Sequence, residues 1–162
     1  MKNPRRCSGF SLVEAIMAIV VMSLLITPTV AMLRDSTSAR MDATQETRAS
    51  VLATAVLEQV QADVASPNGS LGMAALASSS TYLNTASTGL IARMSGVTSA
   101  YSALGMSWSL SIGGLVGYDG VATGNSLRDV YRSITVTITW TSVRTGSARS
   151  YVVNQLVTDL TP

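Results

Sequence analysis

The chain has 162 residues, of which 47% are apolar and only 12% are charged, and its formal net charge is +2. This length allows one modest domain together with a membrane anchor, but not two full domains. Lys2, Arg5 and Arg6 supply the positive excess, because without residues 1–9 eight arginines face nine acids. The composition therefore does not indicate a strongly basic nucleic-acid binder.

A long apolar run follows a short polar leader. The leader occupies residues 1–9, and residues 10–33 contain a single charge, Glu14. A helix of this length, at about 1.5 Å per residue, can cross a bilayer. The basic leader predicts a cytoplasmic N-terminus and an exported C-terminal bulk. Residues 10–33 are thus predicted to be a transmembrane helix.

The next segment, residues 34–65, is amphipathic. Leu52, Val56, Val60 and Val64 recur at every fourth position, with further apolar residues (Val51 and Leu57) beside them. This period predicts a helix with one buried face. Charged residues are predicted to occupy its other faces: Arg40, Asp42, Glu46, Arg48, Glu58 and Asp63. Residues 10–65 are then one long helix that stops at residues 66–69, and Pro28 inside it predicts a kink.

The remaining chain divides into a connector and a β-rich region. Residues 66–106 are rich in Ser, Ala, Gly and Thr, which favours a variable connector with one short helix. Residues 107–162 contain three alternating segments, which predict strands. They are residues 107–112, 133–141 and 150–160, with a turn at 144–147 between the last two.

Alternation in these strands predicts a sheet with one apolar face and one hydroxyl face. Residues 50–64 are the predicted helix that covers the apolar face, and Trp108 and Trp140 are predicted to lie in the core. The predicted fold class is therefore α+β: a long N-terminal helix, membrane-spanning in its first half, packed on a small C-terminal antiparallel β-sheet.

The N-terminal segment allows three interpretations. The first is a cleaved secretory signal with Thr29-Val30-Ala31 as its cleavage site. The apolar region of such a signal is usually shorter than the run found here and carries no acid. A plain signal anchor explains the length and the orientation, but leaves Glu14 and the border at Gly9 and Phe10 without a role. A lipoprotein signal that ends at Cys7 is not one of the three, because Pro4, Arg5 and Arg6 replace the apolar stretch that it needs.

The third interpretation uses every residue of the segment "GFSLVEAIMAIVVMSLL", residues 9–25. This segment resembles the type III signal of type IV pilins and of type II secretion pseudopilins. The resemblance implies that a prepilin peptidase cleaves between Gly9 and Phe10 and that Phe10 becomes N-methylated. Gly9 suits this chemistry, because a residue without a side chain lets a protease approach the backbone closely.

The same resemblance implies an assembly role for Glu14. In a dry filament core a free ammonium group and a carboxylate are each costly alone. Pairing of Glu14 with the Phe10 amine of a neighbouring subunit neutralises both and sets the axial register. Pro28 resembles the helix breaker that family members carry in the apolar segment.

Location and partners also follow from the resemblance. It implies a single-pass protein of the bacterial inner membrane that later enters a periplasmic or cell-surface filament. Its implied partners are a prepilin peptidase, other pilin or pseudopilin subunits, the inner-membrane assembly machinery, and membrane lipid before assembly; nucleic acid is not indicated.

Two later segments, residues 53–64 and 133–153, look similar to minor pilins and minor pseudopilins. A minor subunit is therefore favoured, while a major subunit and a secretion pseudopilin remain open. The chain departs from many major pilins in one respect, because residues 10–162 contain no cysteine for a C-terminal disulfide.

Residues 10–162 contain few of the side chains that enzymes use for catalysis. Residues 10–162 contain no His, Cys or Lys, which excludes Ser-His-Asp and Cys-His sites, lysine chemistry and His/Cys zinc sites. No enzyme activity, cofactor or metal is therefore predicted. The Gly-rich segment 113–129 lacks a nucleotide-binding pattern and is predicted to be a flexible connection, although Asp119, Asn125 and Asp129 have oxygens that suit Ca²⁺.

Two rival functions remain open from the sequence. One is a binding module at a filament tip that contacts DNA, a surface or a secreted substrate. The other is an exported protein or enzyme that keeps its N-terminal segment as a signal anchor.

Overall fold

The computed structural model of the chain describes residues 11–66, 68 and 71–158. Its helices are α1 (Leu12–Val64), a short 3₁₀ helix (Ala75–Ala77), α2 (Ser79–Asn84) and α3 (Leu90–Ser102). Its strands are β1 (Ser107–Val116), β2 (Tyr131–Thr141) and β3 (Ala148–Thr158). The chain divides into two units, the first ending at Met41 and the second beginning at Asp42.

The second unit contains the hydrophobic core. Leu52, Val56 and Val60 of α1 are at most 1% exposed, and they share one core with Ile134 and Val136 of β2. The fourth-residue spacing places the α1 residues on one helix face. Each such side chain contributes about 1.5–3 kcal/mol through burial. The predicted packing of the second half of the helix on the apolar face of the sheet is thus confirmed.

One residue of the predicted apolar face lies outside the core. Val51 is 54% exposed, whereas its neighbour Leu52 is buried. Successive residues on an α-helix point about 100° apart, so the face that buries Leu52 turns Val51 towards solvent. The assignment of Val51 to the buried stripe is therefore wrong, while that of Leu57 is correct.

The three strands form one antiparallel sheet in the order β1-β2-β3. Trp108 pairs with Ile138, and Val136 pairs with Val153, so their side chains lie on the same face. Trp140 is 5% exposed and Trp108 packs against the core, which confirms the prediction for both tryptophans. Ser and Thr alternate with these residues along β1 and β2 and give the sheet its second, hydroxyl face.

The connector differs from the prediction, because it contains three helical segments instead of one. They contribute Leu76, Tyr82 and Leu90 to the core. The first two segments are too short to show a clear period, and α3 buries only two residues, Leu90 and Met94, in a stretch rich in small residues. Between α2 and α3 the backbone is tightly packed, since a Cβ at Gly89 would lie 2.6 Å from the carbonyl oxygen of Leu83.

Candidate assembly site and its supporting contacts

The first part of α1 presents large apolar side chains on all its sides. Leu12, Leu24 and Met32 are each more than 70% exposed, and the described part of the chain has one helix long and apolar enough to cross a membrane. A helix that is apolar all round requires a lipid or protein environment. This surface is therefore the candidate for membrane insertion and for helix–helix assembly.

Two hydroxyl groups within this apolar stretch are satisfied inside the helix. The Ser23 hydroxyl donates to the Val20 carbonyl oxygen at 2.8 Å, and the Thr29 hydroxyl donates to that of Leu25 at 2.7 Å. Such bonds remove the cost of burying hydroxyl groups in an apolar medium. Pro28 lies inside α1 and offers no N–H to the carbonyl of Leu24, four residues before it. A kink at Pro28 remains a prediction.

Glu14 is the one acid in the first turn of α1, and its side chain is exposed. A carboxylate at this end of a helix is stabilised by the unpaired N–H groups of the first turn. Gly9 and Phe10, the predicted cleavage and methylation residues, lie outside the residues that the structure describes. The pairing of Glu14 with a Phe10 amine therefore remains a prediction.

Asp42 lies at the start of the second unit and joins α1 to the turn between β2 and β3. Ser142 donates its hydroxyl proton to one carboxylate oxygen at 2.6 Å, and the backbone N–H of Val143 donates to the other at 2.8 Å. The hydrogen bond from Ser142 is the main cause that holds the pKa of Asp42 below its usual value. The prediction that Asp42 lies on a solvent face is wrong, because it is 7% exposed.

Replacing Asp42 by alanine is expected to lower the midpoint of thermal unfolding by roughly 2–8 °C, because the Ser142 hydroxyl and the Val143 N–H lose their acceptor. Circular dichroism of the full chain in detergent micelles measures this shift. Glu46→Ala removes an exposed acid from the same helix and is the matched control. Equal midpoints for Asp42→Ala and the control would contradict a structural role for Asp42.

Asp63 is the second buried acid on α1, and it joins this helix to α2 and α3. Arg93 donates to both of its carboxylate oxygens at 2.6 and 2.5 Å, and the Tyr82 hydroxyl donates at 2.5 Å. The Gln59 side-chain amide donates at 3.1 Å. Only 2% of Asp63 is exposed, so its predicted place on a solvent face is also wrong.

Burial and hydrogen bonding act in opposite directions on the pKa of Asp63. Burial by itself raises the pKa of Asp63, but hydrogen bonds from Arg93, Tyr82 and Gln59 outweigh it and leave that pKa below its usual value. Burial, and then the hydrogen bond to Asp63, raise the pKa of Tyr82. The hydrogen bond to Asp63 likewise raises the pKa of Arg93. The carboxylate and guanidinium groups are therefore both charged at neutral pH.

The loop between β1 and β2 is organised around Asp129. Its carboxylate accepts hydrogen bonds from the backbone N–H groups of Thr123 and Gly124 and from the Thr123 hydroxyl. Burial raises the pKa of Asp129, but these bonds together lower it below its usual value. The sequence predicts a flexible connection, whereas the structure contains a hydrogen-bonded loop.

The three residues with oxygens suited to Ca²⁺ each serve this loop. Besides Asp129, the carboxylate of Asp119 accepts from the Val121 N–H, and the side-chain oxygen of Asn125 accepts from the Leu127 N–H. Among the described residues no group of three or more His, Cys, Asp or Glu side chains is placed to hold a metal ion. The oxygens are thus arranged as acceptors for N–H groups.

Comparison with known protein families identifies the N-terminal segment. Residues 4–30 match the Prokaryotic N-terminal methylation motif, the signal of type IV pilins and pseudopilins. The match covers residues 4–9 of the leader, the Gly9–Phe10 border, Glu14 and most of the apolar run. The chain therefore carries a pilin-type N-terminal signal on a long helix that packs on a small antiparallel sheet.

The whole chain was also compared with curated proteins and with solved structures. No curated protein and no solved structure matched it. What the comparisons identify is therefore the pilin-type methylation signal at residues 4–30.

Proposed function

We propose that the chain is a minor structural subunit of a type IV pilus or of a type II secretion pseudopilus. The observation that carries the proposal is the methylation motif at residues 4–30, which includes the start of a helix with exposed apolar side chains on all sides. The helix anchors the protein in the inner membrane with its N-terminus in the cytoplasm. The same apolar surface then packs against neighbouring subunits in the filament.

Processing prepares the helix for assembly. A prepilin peptidase cleaves between Gly9 and Phe10 and methylates the new amine of Phe10. Removal of residues 1–9 deletes three positive side chains and leaves one ammonium group close to the helix. Glu14 of one subunit pairs with that group on its neighbour in the filament core.

A structural role is supported by the chemistry of the chain. The proteins that carry this motif are structural, and residues 10–162 lack His, Cys and Lys. The choice of a minor subunit is supported by the similarity of residues 53–64 and 133–153 to minor pilins and minor pseudopilins. It is also supported by the absence of cysteine after Phe10, because many major pilins use a C-terminal disulfide.

The processing step predicts a strong effect of a bulky residue at Gly9. Gly9→Leu is expected to leave the chain uncleaved, because the side chain keeps the peptidase from the backbone, whereas Gly9→Ala retains most cleavage. Intact mass and N-terminal sequencing of the membrane fraction measure both outcomes. Wild-type chain is expected to begin at N-methylated Phe10 and to be present at low abundance in sheared filaments.

Two results would count against the proposal. Normal cleavage of Gly9→Leu would remove the role assigned to Gly9. A wild-type chain that begins at Met1, or after Ala31, would mean that the protein is an ordinary signal-anchored or secreted protein.

A further inference from the structure

Within the residues that the structure describes, the outer edge of β3 has few of the features that usually keep a strand edge from pairing. β3 is 11 residues long and pairs with β2 from Ala148 to Thr158 without a bulge. It contains no proline, glycine or lysine, and Arg149 is its only charged residue. Natural edge strands are usually interrupted by such residues, or are covered. A long regular edge of this kind is suited to accept another strand.

The opposite edge of the sheet is different. β1 has an irregularity between Ile112 and Leu115, where Gly113 and Gly114 interrupt its pairing with β2. The 3₁₀ helix of the connector also lies against β1. Since bulges and covering segments both protect an edge, β1 has a protection that β3 lacks in the described part of the chain. The asymmetry points to β3 as the edge that binds a partner.

A groove lies beside the C-terminal end of β3, on the helix side of the sheet. Its volume is about 620 Å³, and it is lined by Gln61, Ala62 and Val64 of α1 and by Leu156 and Val157 of β3. Successive side chains of a strand alternate between the two faces of a sheet, so every second side chain of an added strand would lie on the helix side. Where such a side chain lies beside residues 156–158, the groove has room for it if it is apolar.

Charge adds a further condition on the partner. Glu58 also lines the groove, and its side chain is exposed. It is not part of the ion pair between Arg93 and Asp63, the one found in the described part of the chain. A lysine or arginine on the added strand would complement this carboxylate and help to set the strand register.

We propose that β3 receives an extended segment of a neighbouring filament subunit as a fourth strand of the sheet. Backbone N–H and C=O groups at alternate positions of β3 point away from β2, and an extended backbone is the group that pairs with them in series. An apolar side chain beside the C-terminal end of β3 enters the groove, and a basic residue contacts Glu58. This inference rests on the proposed function, because it takes the partner from the filament.

Hydrogen exchange of the full processed chain tests the added strand directly. In detergent micelles the amides of β3 that point away from β2 are expected to exchange fast. In sheared filaments the exchange rate of the same amides is expected to fall by about tenfold or more, because these amides become hydrogen-bonded. Unchanged fast exchange of these amides, in filaments that contain the chain, would overturn the inference and leave the proposed function standing. Absence of the wild-type chain from filaments would instead count against the proposed function.

A charge reversal provides an independent test. Glu58→Lys is expected to lower incorporation into filaments roughly threefold to tenfold, because it opposes the basic residue of the partner. Glu46→Lys makes the same change at an exposed position of α1 outside the groove and is the matched control. Equal unfolding midpoints of the two variants in micelles show that both fold. Equal incorporation of the two variants would overturn the assigned contact of Glu58.

Discussion

Replacing Glu14 by alanine is expected to leave cleavage after Gly9 intact and to reduce filament incorporation about 100-fold. In the proposed filament the Phe10 amine of a neighbour is buried among apolar side chains such as Leu12 and Ile16. Removing the acidic partner of a buried ion pair costs about 3 kcal/mol or more, because a charge is left unpaired. At about 1.4 kcal/mol for each factor of ten, this cost corresponds to roughly 100-fold.

Comparison of processed and assembled protein separates the two steps. The fraction beginning at Phe10 is measured in membranes, and the amount of chain is measured in sheared filaments. Glu14→Gln keeps the size of the side chain but not its charge, so it is expected to assemble nearly as poorly as Glu14→Ala. Glu46→Ala removes an acid beyond the apolar segment and is expected to assemble normally. Incorporation of Glu14→Ala at the wild-type level would refute the pairing.

The candidate assembly site could be predicted from the sequence, because all the residues that define it lie within about 25 consecutive positions. A basic leader, a glycine, an acid and an apolar helix are local features, and their order along the chain is itself the signal. The same holds for the packing of the helix. Leu52, Val56 and Val60 repeat at the helical period, and Ile134, Val136 and Ile138 repeat at the strand period.

The polar contacts that hold the second unit together were not predictable in this way. Asp63 and Arg93 are 30 residues apart, and Asp42 and Ser142 are 100 residues apart. A charged residue on a helix normally faces solvent, so periodicity assigned both acids to exposed faces. Their burial depends on donors that distant segments supply. No local pattern in the sequence identifies those donors.

Replacing Asp63 by asparagine is expected to destabilise the second unit by about 2–3 kcal/mol. This value is below the roughly 3–5 kcal/mol for breaking a fully buried pair, because Arg93 is 24% exposed and keeps part of its hydration. Urea unfolding of the full chain in micelles measures the difference in the free energy of unfolding. Glu58→Gln, an exposed acid on the same helix, is the control and is expected to change this free energy little.

The pH dependence of stability distinguishes the charge of Asp63 from its packing. Because the pKa of Asp63 is lower in the folded chain than its usual value of about 3.9, the ionised carboxylate stabilises the fold above that value. This contribution is lost as the pH falls from about 4 through the folded pKa, where the carboxylate becomes protonated. Asp42 and Asp129 have lowered pKa values and act in the same direction. Wild-type chain is therefore expected to lose stability below about pH 4 more steeply than Asp63→Asn. Parallel curves for the two proteins would show that Asp63 supports the fold without its charge.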